Sequence, residues 1–224
     1  MPLKRHYPDI RFGGNQVTPD EIDRYEQYQV INPAISTTFF GSATAGTVSQ
    51  AVTVGLGNTV ADYPRSVALV FTGSASVSGT ATVTGKDQFG ASQSETLALA
   101  QGTQTAGIVD GTSIFAEVSA CSVAMGTGVS GTGTVSLGVG TTEGKVKFGL
   151  PAKLGGVADV KAITWTTESG IPTVLNGGTV ASTDYVDTTN HAFLGSAALE
   201  GTTTYSVLFK PSYVSEKVAA MANL

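Results

Sequence analysis

The strongest constraint in this chain is a rhythm. From about residue 35 onward, short stretches of alternating apolar and small polar residues recur about every 10–20 positions. Glycine-bearing turns separate them, and no amphipathic helical stretch lies between them. Parallel strands need crossover connections of a dozen or more residues, usually helical. Without such crossovers the pattern predicts an all-β fold, an antiparallel β-sandwich or barrel. Residues 47–54 alternate with Val48, Val52 and Val54 on one face. Residues 66–72 are apolar on both faces, as in a central strand covered on each side. Thr80-Ala81-Thr82-Val83-Thr84 turns Ala81 and Val83 inward and three threonines outward. Gly85-Lys86-Asp87-Gln88-Phe89-Gly90 then reads as a turn, and Glu95-Thr96-Leu97-Ala98-Leu99 as the returning strand of a hairpin. Residues 113–125 place Ile114, Ala116 and Val118 together. Residues 134–140 do the same with Val135, Leu137 and Val139. Residues 160–167 carry Trp165, and residues 204–210 form a last strand that Pro211 stops. Residues 150–158 read as a long loop, with a linker into a second small β unit as the alternative.

The first 33 residues read differently. Nine of the chain's 29 charged residues lie in positions 1–28, leaving 20 for the other 196. The division is therefore a charged arm (1–33), a bare β body (34–211, with a subdivision near 150–158 as the alternative) and a C-terminal tail (212–224). The arm is expected to contain a short helix. Thr18 is a good N-cap, Pro19 suits the first helical position, and Glu21 completes a capping box. Ile22 and Tyr25, with Tyr28 beyond, supply an apolar stripe, and Asn32-Pro33 ends the helix. The Ala-rich residues 212–222 suit a second short helix. On this reading, removing residues 1–30 leaves the β core folded.

Composition sets the class of function. Only 13 % of residues are charged, against about 25 % in ordinary globular domains. A folded monomer of this mass exposes roughly 9,600 Å², so one charge covers roughly 330 Å², about twice the usual area. So bare a surface suits a subunit of an assembly better than a free enzyme. The chain is long enough to bury a core without a disulfide or metal staple. Its net charge of −5, with no basic block, disfavours direct nucleic-acid binding. The longest apolar run, residues 67–71, is far too short for a membrane helix. No apolar segment follows the basic residues near Met1, so no secretion signal is expected. The single cysteine permits no intrachain disulfide, which fits a reducing cytosol.

A search for chemistry finds little. Gly126-Thr127-Gly128-Val129-Ser130-Gly131 matches G-x-G-x-x-G, but β text follows where a dinucleotide site needs a helix. Two histidines, His6 and His191, and one cysteine, Cys121, are too few and too distant for a zinc site. Asp184, Asp187 and His191 fall within eight residues but read as a polar turn. Glu95 and Glu117 read as ladder positions rather than a paired acid and base. Cys121 reads as a small core residue. No catalytic residue, metal site or cofactor is expected, and no small-molecule substrate.

The stretch from Thr80 to Gly90, followed by Ser94-Glu95-Thr96-Leu97-Ala98-Leu99, resembles a pattern in small structural proteins of tailed bacteriophages. There a strand ends V-T-G-x-D-x-x-G and S/T-E-T opens the next. Residues 131–140 and Lys147-Phe148-Gly149-Leu150-Pro151 resemble its continuation. The likeness covers residues 66–151 and implies a non-enzymatic virion component, most simply a capsid decoration (cement) protein. Such a protein is made in the host cytoplasm and sits on the capsid surface. Its partners are the major capsid protein and further copies of itself, with no nucleic acid or membrane. It stabilises the head by binding between capsid subunits. Arg5, Tyr7, Arg11, Phe12, Ile22 and Tyr25 are the expected anchoring residues of the arm. The alternatives are a tail-tube or neck subunit, a secreted β-sandwich adhesin, and a hydrolase should Asp187, His191 and a serine converge in a pocket.

Overall fold

A computed structural model of the chain describes residues 25–31, 33, 36–44, 51–73, 79–99, 106–126, 133–139, 146–166, 172–174, 185–195 and 203–212. Within these residues the fold is antiparallel β throughout and sandwich-like. The strands are β1 (Glu26–Ile31), β2 (Ser36–Thr44), β3 (Ala51–Thr53), β4 (Gly55–Leu56), β5 (Val60–Gly73), β6 (Gly79–Lys86), β7 (Ser92–Leu99) and β8 (Ala106–Met125). They continue as β9 (Gly133–Val139), β10 (Lys147–Gly149), β11 (Val160–Thr166), β12 (Pro172–Val174), β13 (Val186–Asp187), β14 (Ala192–Leu194) and β15 (Thr204–Phe209). One 3-10 turn, Val157–Asp159, precedes β11.

Eleven strands form one sheet and four form another, in the order β1-β15-β11-β12. In the large sheet β5 is central, flanked by β8 and β9. Its residues 67–71 are all buried, as apolarity on both faces requires, and the polar Arg65 and Ser66 are buried with them. The hairpin β6–β7 pairs in the register Thr82↔Thr96 and Val83↔Glu95, and β6 also pairs with β8. Ala81 and Val83 are fully buried while Thr80 and Thr82 are exposed. The sheet curls on itself, because β2 pairs with both β9 and β4 while β3 pairs with β8. The first core fills that curl: Phe40, Leu69, Phe71, Val83, Phe115, Val118, Cys121, Val135 and Leu137 among others.

The second core lies between the four-stranded sheet and the β13-β14-β10 margin of the large sheet. Phe148, Phe193 and Tyr205 form its aromatic centre, with Val30, Leu150, Ile163, Val207 and Phe209 around them. Phe148 stacks on Phe193 with centroids 5.5 Å apart and meets Tyr205 at 5.6 Å. β10 joins the two regions, since Phe148 pairs with Arg65 of β5. Arg65 is buried, bonded to Asp62 at 2.8 Å, and its guanidinium lies 5.8 Å from the Phe39 ring centre.

Three expectations are corrected. Residues 26–31, expected at the end of a helix, are strand β1. Gln27, Gln29 and Ile31 alternate with Tyr28 and Val30, and β15 offers that alternation a full ladder. The start of the expected helix, residues 18–24, lies outside the described residues, as do residues 213–222 of the C-terminal one. Deleting residues 1–30 would also remove most of β1 and the fully buried Val30, so it would not spare the β core. Finally, Ile114, Ala116 and Val118 do not share a face through β8. Phe115 rather than Ile114 joins Val118 in the first core, because the ladder to β5 is irregular between Phe115 and Glu117; further on, Ser119 is an extra residue between the pairs Thr84↔Ala120 and Gly85↔Val118. Such a bulge lets Val118 and Cys121 both face the core.

Candidate functional site

Two surfaces merit description. The first is a cleft of about 190 Å³ at the tip of the β6–β7 hairpin. Asp87 builds the turn: its Oδ1 accepts the Phe89 and Ala91 backbone N–H groups, each at 2.8 Å. Gly90 takes φ +82°, the left-handed conformation glycine adopts without steric cost. The tip reaches residues 187–191, where Gln88 Nε2 donates to the Asn190 carbonyl at 2.7 Å. The Phe89 ring meets His191 edge-on at 5.6 Å, and the Lys153 ammonium lies 5.8 Å from the Phe89 ring centre.

His191 is itself held in place. Its Nδ1 accepts the Leu154 N–H at 3.1 Å and its carbonyl accepts the Leu150 N–H at 2.8 Å. An accepting Nδ1 leaves the proton of the neutral ring on Nε2. Burial, and then the Lys153 charge, hold its pKa below the usual histidine range against the pull of Asp187 and Asp87. Asp187 does not line the cleft. Its carboxylate accepts Lys147 Nζ at 2.6 Å, Asn190 Nδ2 at 2.8 Å and the backbone N–H groups of Thr189 and Asn190. Burial raises the Asp187 pKa, but the hydrogen bonds from Lys147 and Asn190 outweigh it and hold the group below the usual carboxylate range. No serine or cysteine is among the cleft's lining residues. Asp184 lies outside the described residues. Asp187 and His191 are thus joined through one β13–β14 turn, each with a structural bond, and the described lining of the cleft holds no serine or cysteine.

The second surface is the outer face of the four-stranded sheet. Its register sets three cross-strand rows: Gln27–Leu208–Ala162, Gln29–Ser206–Thr164 and Ile31–Thr204–Thr166. None of these nine side chains is ionisable. Ile31 is 53 % exposed and Leu208 39 %. Gln27 Nε2 donates to Ser206 Oγ at 2.7 Å, and Thr164 Oγ1 donates to the Ser206 carbonyl at 3.3 Å. The opposite faces of β1 and β15 put Val30, Tyr205, Val207 and Phe209 into the second core. At the margin, the Lys161 ammonium lies 5.7 Å from the Tyr25 ring centre.

Of the arm residues singled out from the sequence, Arg5, Tyr7, Arg11, Phe12 and Ile22 lie outside the described residues. Tyr25 directly precedes β1 and borders the uncharged face. Glu95 and Glu117 have separate partners. Glu95 Oε1 accepts the Thr112 N–H at 2.6 Å and the Thr112 hydroxyl at 3.0 Å, while Glu117 pairs with Lys86 at 2.8 Å. Cys121 is fully buried, and burial pushes its thiol up to about 11, so it is a packed thiol rather than a nucleophile. Sequence reasoning missed the uncharged face because it placed residues 26–31 in a helix. The signal was present: Glu-Gln-Tyr-Gln-Val-Ile alternates with period two.

No family model and no curated protein matches the sequence. Distant likenesses among solved structures include chains in structures of the Gt and Gx strains of infectious bursal disease virus. They are 12 % and 10 % identical, with TM-scores of 0.25 and 0.27. The alignments cover 84 % and 87 % of this chain but only 38 % and 43 % of those chains. This chain therefore spans about two-fifths of their length, and at such TM-scores the likeness carries no functional argument.

Proposed function

We propose that the chain is a non-enzymatic structural subunit of a virion, a decoration or cement protein that binds between capsid subunits and stabilises the head. The observation that carries this reading is the block of nine uncharged side chains on the outer face of the β1-β15-β11 layer, bordered by Lys161, in a chain whose first 28 residues hold nine of its 29 charges. Stable interfaces are depleted of charge at their centres. A face of Gln, Ser, Thr, Ile and Leu can be covered without stranding an ion, and burying an unpaired ion costs several kcal/mol. The likeness of residues 66–151 to tailed-phage structural proteins supports the same reading. A charged, aromatic arm would add anchoring contacts through Arg5, Tyr7, Arg11, Phe12 and Ile22.

The test is binding of the purified chain to particles lacking it, followed by co-sedimentation. The intact chain is expected to bind to saturation and raise the temperature at which the heads rupture. Deleting residues 1–24, which stops short of β1, should weaken binding at least tenfold while leaving the far-UV spectrum β-like. Failure of the intact chain to bind would refute the reading. Normal binding by the truncated chain would refute the arm's role.

A further inference from the structure

Among the described residues the outer edge of β1 has no strand partner, and its chemistry specifies an occupant. β1 ends the four-stranded sheet, and among the described residues no strand pairs with its far side. The Tyr63 hydroxyl shows which backbone groups point there. It accepts the Ile31 N–H and donates to the Ile31 carbonyl, both at 3.1 Å. Ile31 therefore directs both groups away from β15. Along a strand, residues two apart direct these groups the same way. Gln29 and Gln27 thus present their N–H and C=O groups outward, and both residues are exposed.

We infer that this edge pairs with the same edge of a second copy, antiparallel about a two-fold axis at Tyr28. The sequence around Tyr28 is self-complementary in that register. Gln27 faces Gln29 of the other copy and Gln29 faces its Gln27, amide against amide. Each of these two pairs is of the hydrogen-bonded type, which exchanges two main-chain bonds. Tyr25 comes opposite Ile31, and Glu26 opposite Val30, so no charge meets a like charge directly across the axis. Ile31 keeps its bonds to Tyr63, which ends the pairing after Gln29. Residues 27–31 carry no lysine or proline and their ladder to β15 has no bulge, so three of the usual protections of exposed strands are missing from this segment. Pairing would join two four-stranded sheets into one of eight, with the uncharged rows continuous across the axis. The inference stands apart from the virion reading, since it concerns the isolated chain.

Sedimentation equilibrium of the full chain, from about 1 to 100 µM, tests it. The wild type is expected to approach twice 22.8 kDa. Gln29→Pro removes an outward N–H that β15 does not use, and edge positions of this kind tolerate proline. It should remain monomeric across the range with an unchanged melting temperature. Should Gln29→Pro fail to fold, Gln27→Lys/Gln29→Lys sets like charges opposite each other and should likewise give a monomer. A wild type that stays monomeric at 100 µM overturns the inference. So does an oligomer that a folded edge variant leaves intact. Particle binding by a folded, monomeric edge variant would leave the virion reading standing independently.

Discussion

Replacing Phe148 by alanine should selectively damage the second core. The side chain is fully buried, stacked on Phe193 at 5.5 Å and against Tyr205 at 5.6 Å. Gly195 leaves it room: a Cβ there would lie 3.0 Å from Phe148 Cε2. Truncating a buried phenylalanine typically costs about 3–5 kcal/mol, and this site falls at the upper end because two aromatic contacts go with it. With a urea dependence of about 2 kcal/mol/M, the midpoint should fall by about 2 M. Trp165 packs against the same core and is the only tryptophan, so its fluorescence reports the transition directly. Labelling of Cys121, buried in the first core, gives a separate reading of the other region. A fall in the tryptophan midpoint of less than about 0.5 M would refute the assignment of Phe148 to the centre of that core.

Further predictions follow from single sites. Gly138→Ala should destabilise the β2–β9 pairing by about 2 kcal/mol or more, because its Cβ would overlap the backbone oxygen of Ser36; chemical denaturation measures this. His191 has a lowered pKa in the fold, so the unfolded chain binds the proton more tightly. Its contribution is present above about pH 6.5 and is lost as pH falls through the folded value, and His191→Gln should flatten that part of the stability–pH curve. Asp187 has the same sign in a lower window: its contribution is present above about pH 4 and is lost on further acidification, and Asp187→Asn should remove it. Cys121 should react with a thiol reagent only at the rate of unfolding, and prompt stoichiometric labelling of the native chain would contradict its packing.

Much of the fold was legible because the β body obeys period two. The alternation around Ala81 and Val83 and the Asp-x-x-Gly turn located the β6–β7 hairpin. The two-sided apolar run at residues 66–72 located the central strand. β1 was misread because Thr18-Pro19-Asp20-Glu21 is a strong helix-start signal, while the strand depends on β15, some 180 residues away in sequence. Local capping chemistry cannot register a partner at that distance. The bulge at Ser119 was invisible for a related reason, since it exists only relative to β6. The turn before His191 was read correctly, but Val186 and Asp187, read as part of it, form strand β13, and the partners Lys147 and Leu154 that partly bury Asp187 and His191 emerge only from the packing of β10 and β14. The uncharged outer face needed the β1-β15-β11 register, which sets residues from three distant segments side by side.

The central claim, that this chain is a component of an assembled particle, is tested most directly by counting it. Quantitative mass spectrometry of purified particles made by the encoding genome gives its copy number relative to the major capsid protein. The account predicts hundreds of copies per particle, bound stoichiometrically to the head. A few copies would move the chain to the neck or tail, and its absence from intact particles would contradict the account.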